Sequence, residues 1–384
     1  MKRAIVIICF AACHQDAPAP SPNPPATPPS PPAQQAPAQP GPKLPAPPMP
    51  AIAGVAPVEA DFTRRDVTLS DGEKLGELRI HYTTYGTPAR DAAGHVTNAV
   101  LVMHGTTGSG AQFTRPQFAG ELFGPGQPLD LKTHYVILPD DIGHGRSSKP
   151  SDGLRARFPH YGYADMVAAE HALVVDGLHV DHLKLVMGTS MGCMHAWMWA
   201  EQWPAMMDAV MPLACLPTQI AGRNRMWRKL LIDVVRDDPA YANGDYTTEP
   251  VAGLQGASAI FDIASSAPLA DQVRMPTRDA ADKVVETITP KFVASHDAND
   301  LVYQVASSAD YDPSKDLEKI TARVTAVNSA DDFINPPELG IAETMIKRVA
   351  HGKFVLIPAS PQTHGHGTHT WAALWKSELV ELLK

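Results

Sequence analysis

From about residue 58 onward, short apolar runs alternate with stretches of helical period. Ala99 to Met103, Tyr135 to Leu138, Leu183 to Met187, Ala209 to Leu213, Val324 to Val327 and Phe354 to Ile357 are mostly apolar and bounded by turn formers, the pattern of strands buried on both faces. Met166 to Leu178, Met191 to Gln202 and Glu338 to Val349 read as helices between them. Strands alternating with helices predict a mostly parallel sheet with helices on both faces, the α/β class. Thr68 to Tyr85 reads as an antiparallel pair at the front. The rhythm breaks between Leu216 and Ile320, where helical segments such as Arg225 to Arg236 and Lys291 to Ser307 occur without a convincing strand. This predicts a helical cap, about 217–320, over the C-terminal edge of the sheet. No internal repeat is evident.

Composition changes this picture at one end only. Of 384 residues, 44% are hydrophobic and 19% charged, enough to build a sizeable core. Roughly half of the 37 prolines fall between Pro18 and Pro57. Residues 14–57 are Pro, Ala, Gln and Ser with almost no aromatic residue, too little apolar surface to offset the entropy of ordering. They read as a disordered, polyproline-like linker before a domain spanning 58–384. At about 3.1 Å per residue such a tether reaches on the order of 100 Å. The net charge of −9 and the lack of a basic run beyond short clusters such as Arg223 to Lys229 exclude nucleic acid as an expected partner.

Residues 1–13 read as an export signal: Lys2 and Arg3, then the apolar run Ala4 to Ala12, then Cys13. The run is far shorter than the roughly 20 residues of a membrane-spanning helix. Phe10-Ala11-Ala12-Cys13 resembles the lipobox of bacterial lipoproteins, with Phe10 where Leu is usual, and this implies a lipid anchor on Cys13. His14 after the cysteine, rather than Asp, implies the outer membrane. The expected location is therefore the periplasm or an outer-membrane tether, with that anchor the expected membrane contact. Cys193 and Cys215 sit among apolar residues and read as buried free thiols rather than a disulfide.

Gly188-Thr189-Ser190-Met191-Gly192 joins an apolar strand to a helical run. A G-x-S-x-G turn in that setting is a nucleophile elbow: the sharp turn exposes the serine hydroxyl at the sheet edge, and the glycines let backbone and helix pass closely. This predicts an α/β-hydrolase fold with Ser190 as nucleophile. A serine needs a base, and in this fold acid and histidine follow in that order. The loop after Val324 to Val327 holds Asp331 and Asp332. Asp332 is preferred because the acid commonly stands four residues before a proline, here Pro336. His364, His366 and His369 follow the last strand, and Gly365-His366 is the expected base. Oxyanion donors are expected from the amides of Met191 and of Thr106, in His104-Gly105-Thr106-Thr107-Gly108. Asp141 to Ser147 reads as scaffold, His144 included.

A competing reading takes His364-x-His366-x-x-His369 as a zinc site like that of metallo-β-lactamase-like hydrolases. Thr368 stands where those have Asp, and too little chain follows for further ligands, so neither metal nor cofactor is expected. A third reading, a noncatalytic binding domain, would require a broken triad.

Further motifs resemble the homoserine O-acetyltransferase family. They are Ser190-Met191-Gly192-Cys193-Met194 followed by Trp199-Ala200 and Pro204, Gly124-Pro125-Gly126 with Asp130, Asp238-Pro239 with Gly244-Asp245-Tyr246, Asp332 before Pro336-Pro337, and Gly365-His366. The resemblance covers nearly everything from about Val67 to the C-terminus. It implies ping-pong chemistry in which Ser190 takes an acyl group from a small-molecule ester or acyl donor and an acceptor receives it. It also implies pairing of two copies through the cap, a homodimer. The chain departs from the family at Cys193, where a second glycine is usual, and at Ser258, where the family's Gly-Leu-x-x-Ala-Arg places an arginine that can bind an amino-acid carboxylate. That departure and the expected export favour hydrolysis of a small carboxylic ester, with acyl transfer to an alcohol as the alternative.

Overall fold

The structure is a computed structural model and describes residues 48–384. The signal at 1–13 with Cys13, and the linker as far as residue 47, lie outside the described residues.

Eight strands form one sheet in the order β1-β2-β4-β3-β5-β6-β7-β8. They are β1 Val58–Thr68, β2 Lys74–Tyr85, β3 Ala99–Met103, β4 Tyr135–Pro139, β5 Leu185–Thr189, β6 Ala209–Leu213, β7 Arg323–Ser329 and β8 Gly352–Ile357. β2 runs antiparallel to both of its neighbours, β1 and β4, and the remaining pairs are parallel. Central strands lack alternating polarity because both faces are covered. Along β3, Leu101 and Met103 pack into one core while Val100 and Val102 pack into the other. Truncating a side chain such as Leu101, fully buried there, costs about 2–5 kcal/mol.

Helices α1 Pro116–Leu122, α2 Tyr163–Ala172 and α3 Met191–Gln202 connect the strands, with α9 Ile341–Met345 and α10 Lys376–Leu382 at the end. Between β6 and β7 lie α4 Gly222–Arg236, α5 Val251–Ala264, α6 Pro268–Arg274, α7 Arg278–Ser295 and α8 Ala298–Ala306. This is the expected helical cap, with its own core around Trp227, Leu231, Leu254 and Leu301. Among the described residues no helix is long and apolar enough to cross a membrane.

Several boundaries differ from the sequence expectation, each for a local reason. The front pair begins at Val58 rather than Thr68. β1 is an edge strand carrying Glu59, Asp61, Arg64 and Arg65, charges suited to an exposed edge, which hide its strand period. The run Lys291 to Ser307 is two helices, because Asp297 caps the second by accepting from the Asp300 amide. Glu338 to Val349 keeps only α9 as α-helix, interrupted by Gly340 at φ 62°. The linker boundary at residue 57 also moves. Met49, Ile52 and Val55 pack against the core beneath the sheet, and the Tyr85 hydroxyl donates to the Pro50 carbonyl at 2.7 Å.

The cysteine expectation is corrected. Cys193 and Cys215 form a disulfide with Cα atoms 5.9 Å apart. One lies in the first turn of α3 and the other just past β6, the neighbouring strand, so chain topology brings them within bridging distance.

Candidate active site

The turn between β5 and α3 puts Ser190 at φ 55°, ψ −105°, a conformation an L-residue holds only when its surroundings enforce it. The two glycines make it feasible. An added Cβ at Gly188 would run into the Gly192 carbonyl, and one at Gly192 into the Met103 carbonyl of β3. The Ser190 amide donates to the Leu213 carbonyl of β6 at 2.8 Å, and that of Gly192 to the His104 carbonyl at 2.9 Å, pinning the elbow between two strands.

The loops after β7 and β8 bring the other expected residues to this serine. His366 Nε2 lies 2.8 Å from Ser190 Oγ, and His366 Nδ1 lies 2.9 Å from Asp332 Oδ2. With the Nδ1 proton donated to the carboxylate, Nε2 is free to accept from the serine hydroxyl. Asp332 is held by the amides of Ile334 at 2.8 Å and Asn335 at 3.1 Å, and by Asn335 Nδ2 at 3.0 Å. Burial alone would raise its pKa. The His366 ring and these hydrogen bonds outweigh burial and hold it below the ordinary carboxylate value, so it stays charged.

Asp331 plays a different part from its neighbour Asp332. It accepts from Ser329 Oγ at 2.5 Å, from Thr363 Oγ1 at 2.7 Å and from the Gly365 amide at 3.2 Å, tying the acid loop to the histidine loop. His364 stacks on Trp371, ring centroids 4.0 Å apart. His369 is half-buried beside His366; desolvation pushes its pKa down to about 3, so it is neutral. The three histidines do not converge as metal ligands.

The loop after β3 passes close to the nucleophile: a Cβ on Gly105 would sit 3.3 Å from that of Ser190. Among the described residues neither the Thr106 nor the Met191 amide has a protein acceptor, and Thr106 lines the same cleft as Ser190. Gln112, which the sequence did not flag, bridges the two segments. Its Nε2 donates to Thr189 Oγ1 at 2.7 Å, and its Oε1 accepts from the Gly105 amide at 3.4 Å. His144 is fully buried with Nδ1 2.9 Å from the Ile142 carbonyl, as expected of scaffold.

Ser190 and His366 open into a cleft of about 800 Å³ walled by the cap residues Trp227, Arg228 and Phe261. A second cleft of about 780 Å³ lies behind the acid loop and includes neither Ser190 nor His366, so the first is the reactive one. Ser258 does not line the reactive cleft; it is buried and donates to Asp262 at 3.0 Å.

Beneath the elbow is a buried polar cluster that no motif signalled. His195 Nδ1 lies 2.9 Å from Glu170 Oε1 and 3.7 Å from Asp141 Oδ2, and Trp199 Nε1 donates to Glu170 Oε2 at 2.7 Å. Burial raises the Asp141 pKa well above its ordinary value and pushes Glu170 up to about 7. It also lowers the pKa of His195.

Residues 98–253 match the family model for the alpha/beta hydrolase fold. A homoserine O-succinyltransferase of Magnetococcus marinus is 29% identical over 299 residues, 68% of this chain and 74% of its own. Two solved structures share the fold. A homoserine O-acetyltransferase from Bacillus anthracis superposes with TM-score 0.75 at 20% identity, covering 85% of this chain and 98% of its own. An acetylester hydrolase from Corynebacterium glutamicum gives TM-score 0.74 at 18% identity, covering 85% and 96%.

Proposed function

Because the chain belongs to the α/β-hydrolase superfamily, in a branch like that of the homoserine O-acetyltransferases, we propose that this enzyme transfers an acyl group to an alcohol acceptor through an acyl-Ser190 intermediate. The observation that carries the reading is the continuous chain from Ser190 Oγ through His366 to Asp332, at 2.8 and 2.9 Å.

His366 Nε2 takes the proton of Ser190 as Oγ attacks the acyl carbonyl carbon, and the carbonyl π electrons move to oxygen. The Thr106 and Met191 amides donate to this oxyanion, which is where such donors act most strongly. Collapse of the intermediate expels the donor's alkoxide or thiolate, which leaves with the His366 proton. An acceptor hydroxyl then gives its proton to His366, attacks the acyl-serine carbonyl, and Ser190 recovers the proton as it departs. Asp332 fixes the His366 tautomer and offsets its positive charge during both halves.

The curated relatives support transfer over hydrolysis, including homoserine O-acyltransferases at 27–32% identity. Ser258 favours the second reading, hydrolysis, because it offers no cation to an amino-acid acceptor. The Cys193–Cys215 bridge supports an oxidising compartment and hence the expected export.

The deciding experiment follows 4-nitrophenyl acetate turnover with and without excess homoserine, beside Ser190→Ala. Formation of O-acetylhomoserine with suppressed acetate release supports transfer. Steady acetate release unaffected by the acceptor makes the enzyme an esterase, and turnover that survives Ser190→Ala removes the serine mechanism.

A further inference from the structure

Asp141, Glu170 and His195 come from three separate segments that meet under the elbow. Asp141 lies two residues past β4, Glu170 on α2, and His195 on α3 five residues after Ser190. None is more than 1% exposed, and none lines the cleft that holds Ser190. The acyl-transfer steps use none of them. One oxygen or ring nitrogen from each lies within 4.8 Å of the others.

Neither carboxylate oxygen of Asp141 has a hydrogen-bond donor among the described residues. Its amide is committed, donating to His104 Nε2 at 3.1 Å. The Glu170 carboxylate stands beside it, and His195 Nδ1 lies 3.7 Å from Asp141 Oδ2. Two carboxylates that meet out of water repel unless something positive joins them. A proton joins two of the three groups. A metal cation joins all three and takes up the Asp141 oxygens that lack a donor.

The donor set selects the cation. Zinc holds nitrogen and oxygen ligands at about 2.0–2.2 Å, which in a tetrahedron sets them about 3.4 Å apart. Glu170 Oε1 and Asp141 Oδ2 stand 2.9 and 3.7 Å from His195 Nδ1, on either side of that spacing. The second Asp141 oxygen supplies a fourth donor. Two carboxylates balance a charge of +2, and a neutral imidazole adds none. Magnesium and calcium take six or more oxygens, which so enclosed a cluster does not offer. Trp199 Nε1 donates to Glu170 Oε2 at 2.7 Å and orients that carboxylate from behind, as the outer partners of metal ligands do.

We propose that Asp141, Glu170 and His195 bind one divalent first-row metal ion, zinc fitting best, as a structural staple beneath the nucleophile. The ion pins α2 and α3 to the loop after β4. The Asp141 amide carries the link on to His104, whose carbonyl receives the Gly192 amide of the elbow. With its positions filled from the protein the ion does no chemistry. Without it the two carboxylates share a proton, the state in which Glu170 titrates at about pH 7.

The test uses the full chain with its disulfide intact. Protein produced with zinc in the medium is expected to carry about one first-row metal ion per chain by elemental analysis. Because the cluster is enclosed, exchange requires unfolding. Protein unfolded in guanidinium with a chelator and refolded with zinc should melt roughly 5–10 °C above the same protein refolded with the chelator. Asp141→Asn and His195→Gln should each lose the bound metal and this difference, and His195→Gln serves if Asp141→Asn does not fold. The comparison of zinc with chelator on the natural protein needs neither variant. Protein that carries no metal and melts at the same temperature in both refolding conditions overturns the site and leaves a proton shared by Asp141 and Glu170. Metal that stays bound in both variants sits elsewhere and overturns it as well.

Discussion

Asp331 and Asp332 are adjacent in the chain, yet their side chains serve different loops. Asp332 touches the His366 ring, whereas Asp331 touches Thr363 and the Gly365 amide of the histidine loop. Asp332→Asn replaces an oxygen that accepts the Nδ1 proton and so disturbs the His366 tautomer. It should lower kcat by roughly three to four orders of magnitude while leaving the fold intact. Asp331→Asn keeps one of the two oxygen acceptors for the loop and should cost about tenfold. Steady-state kinetics on both variants checks this, and equal losses would mean that both carboxylates act on the ring. In the metal-free protein the buried cluster below the elbow gives a second prediction. Glu170 holds its proton to about pH 7 in the folded state but only to 4.5 in the unfolded chain. The unfolded state therefore loses this proton first as pH rises. Stability is fully present below about pH 4.5, falls toward pH 7, and is level above that, a change of up to ~3 kcal/mol. Glu170→Gln has no proton to lose, so its stability relative to the natural protein should rise between pH 5 and pH 8. A difference in urea midpoints that is flat across this range would show that Glu170 is already ionised in the fold. Ser190, His366 and Asp332 could be read from sequence because each sits in a turn whose glycines or prolines have a mechanical purpose. Gln112 and Glu170 could not, because each acts through a partner far along the chain.

At the scale of elements, the central strands were legible since a strand buried on both faces writes an uninterrupted apolar run. β5 still starts two residues later than its run, because Leu183 makes only a lone bridge to Met207. β1 was illegible for the opposite reason, as its outer position demands charge. The disulfide was missed because two buried apolar-flanked cysteines look alike whether bonded or not; only the stacking of β5, α3 and β6 brings them together. That bridge lies one helical turn from Ser190. On the other side, the Ala214 carbonyl next to Cys215 accepts from Asn335 Nδ2, which also donates to Asp332. Replacing both cysteines with serine should cost about 2–4 kcal/mol in urea unfolding. It should also lower kcat, since the bridge joins the nucleophile helix to the segment supporting the acid. An unchanged kcat with reduced stability would confine the bridge to a stabilising role.

Across the whole molecule, the sheet's two faces are covered by different means. One face packs against α2, α3 and the segment before β7, while the other packs against α1, α10 and the stretch upstream of β1. That stretch reads as linker because proline dominates it, yet Met49, Ile52 and Val55 return to the core. Three further contacts fix its course: the Ile52–Val55 bridge, the Met49 amide donating to Glu59 at 2.9 Å, and the Tyr85 hydroxyl on the Pro50 carbonyl. Tyr85 is fully buried, so deleting this segment exposes its ring and leaves its hydroxyl without that acceptor. Each of the three apolar side chains is partly buried, and losing them costs on the order of 1 kcal/mol apiece. A protein starting at residue 48 should therefore unfold at higher urea than one starting at residue 58. The shorter form should keep its Ser190-dependent turnover, because the segment packs with α1 and α10 on the other face of the sheet from α3. Equal midpoints would return residues 48–57 to the linker. A shorter form that loses activity without losing stability would instead couple this face to the cleft.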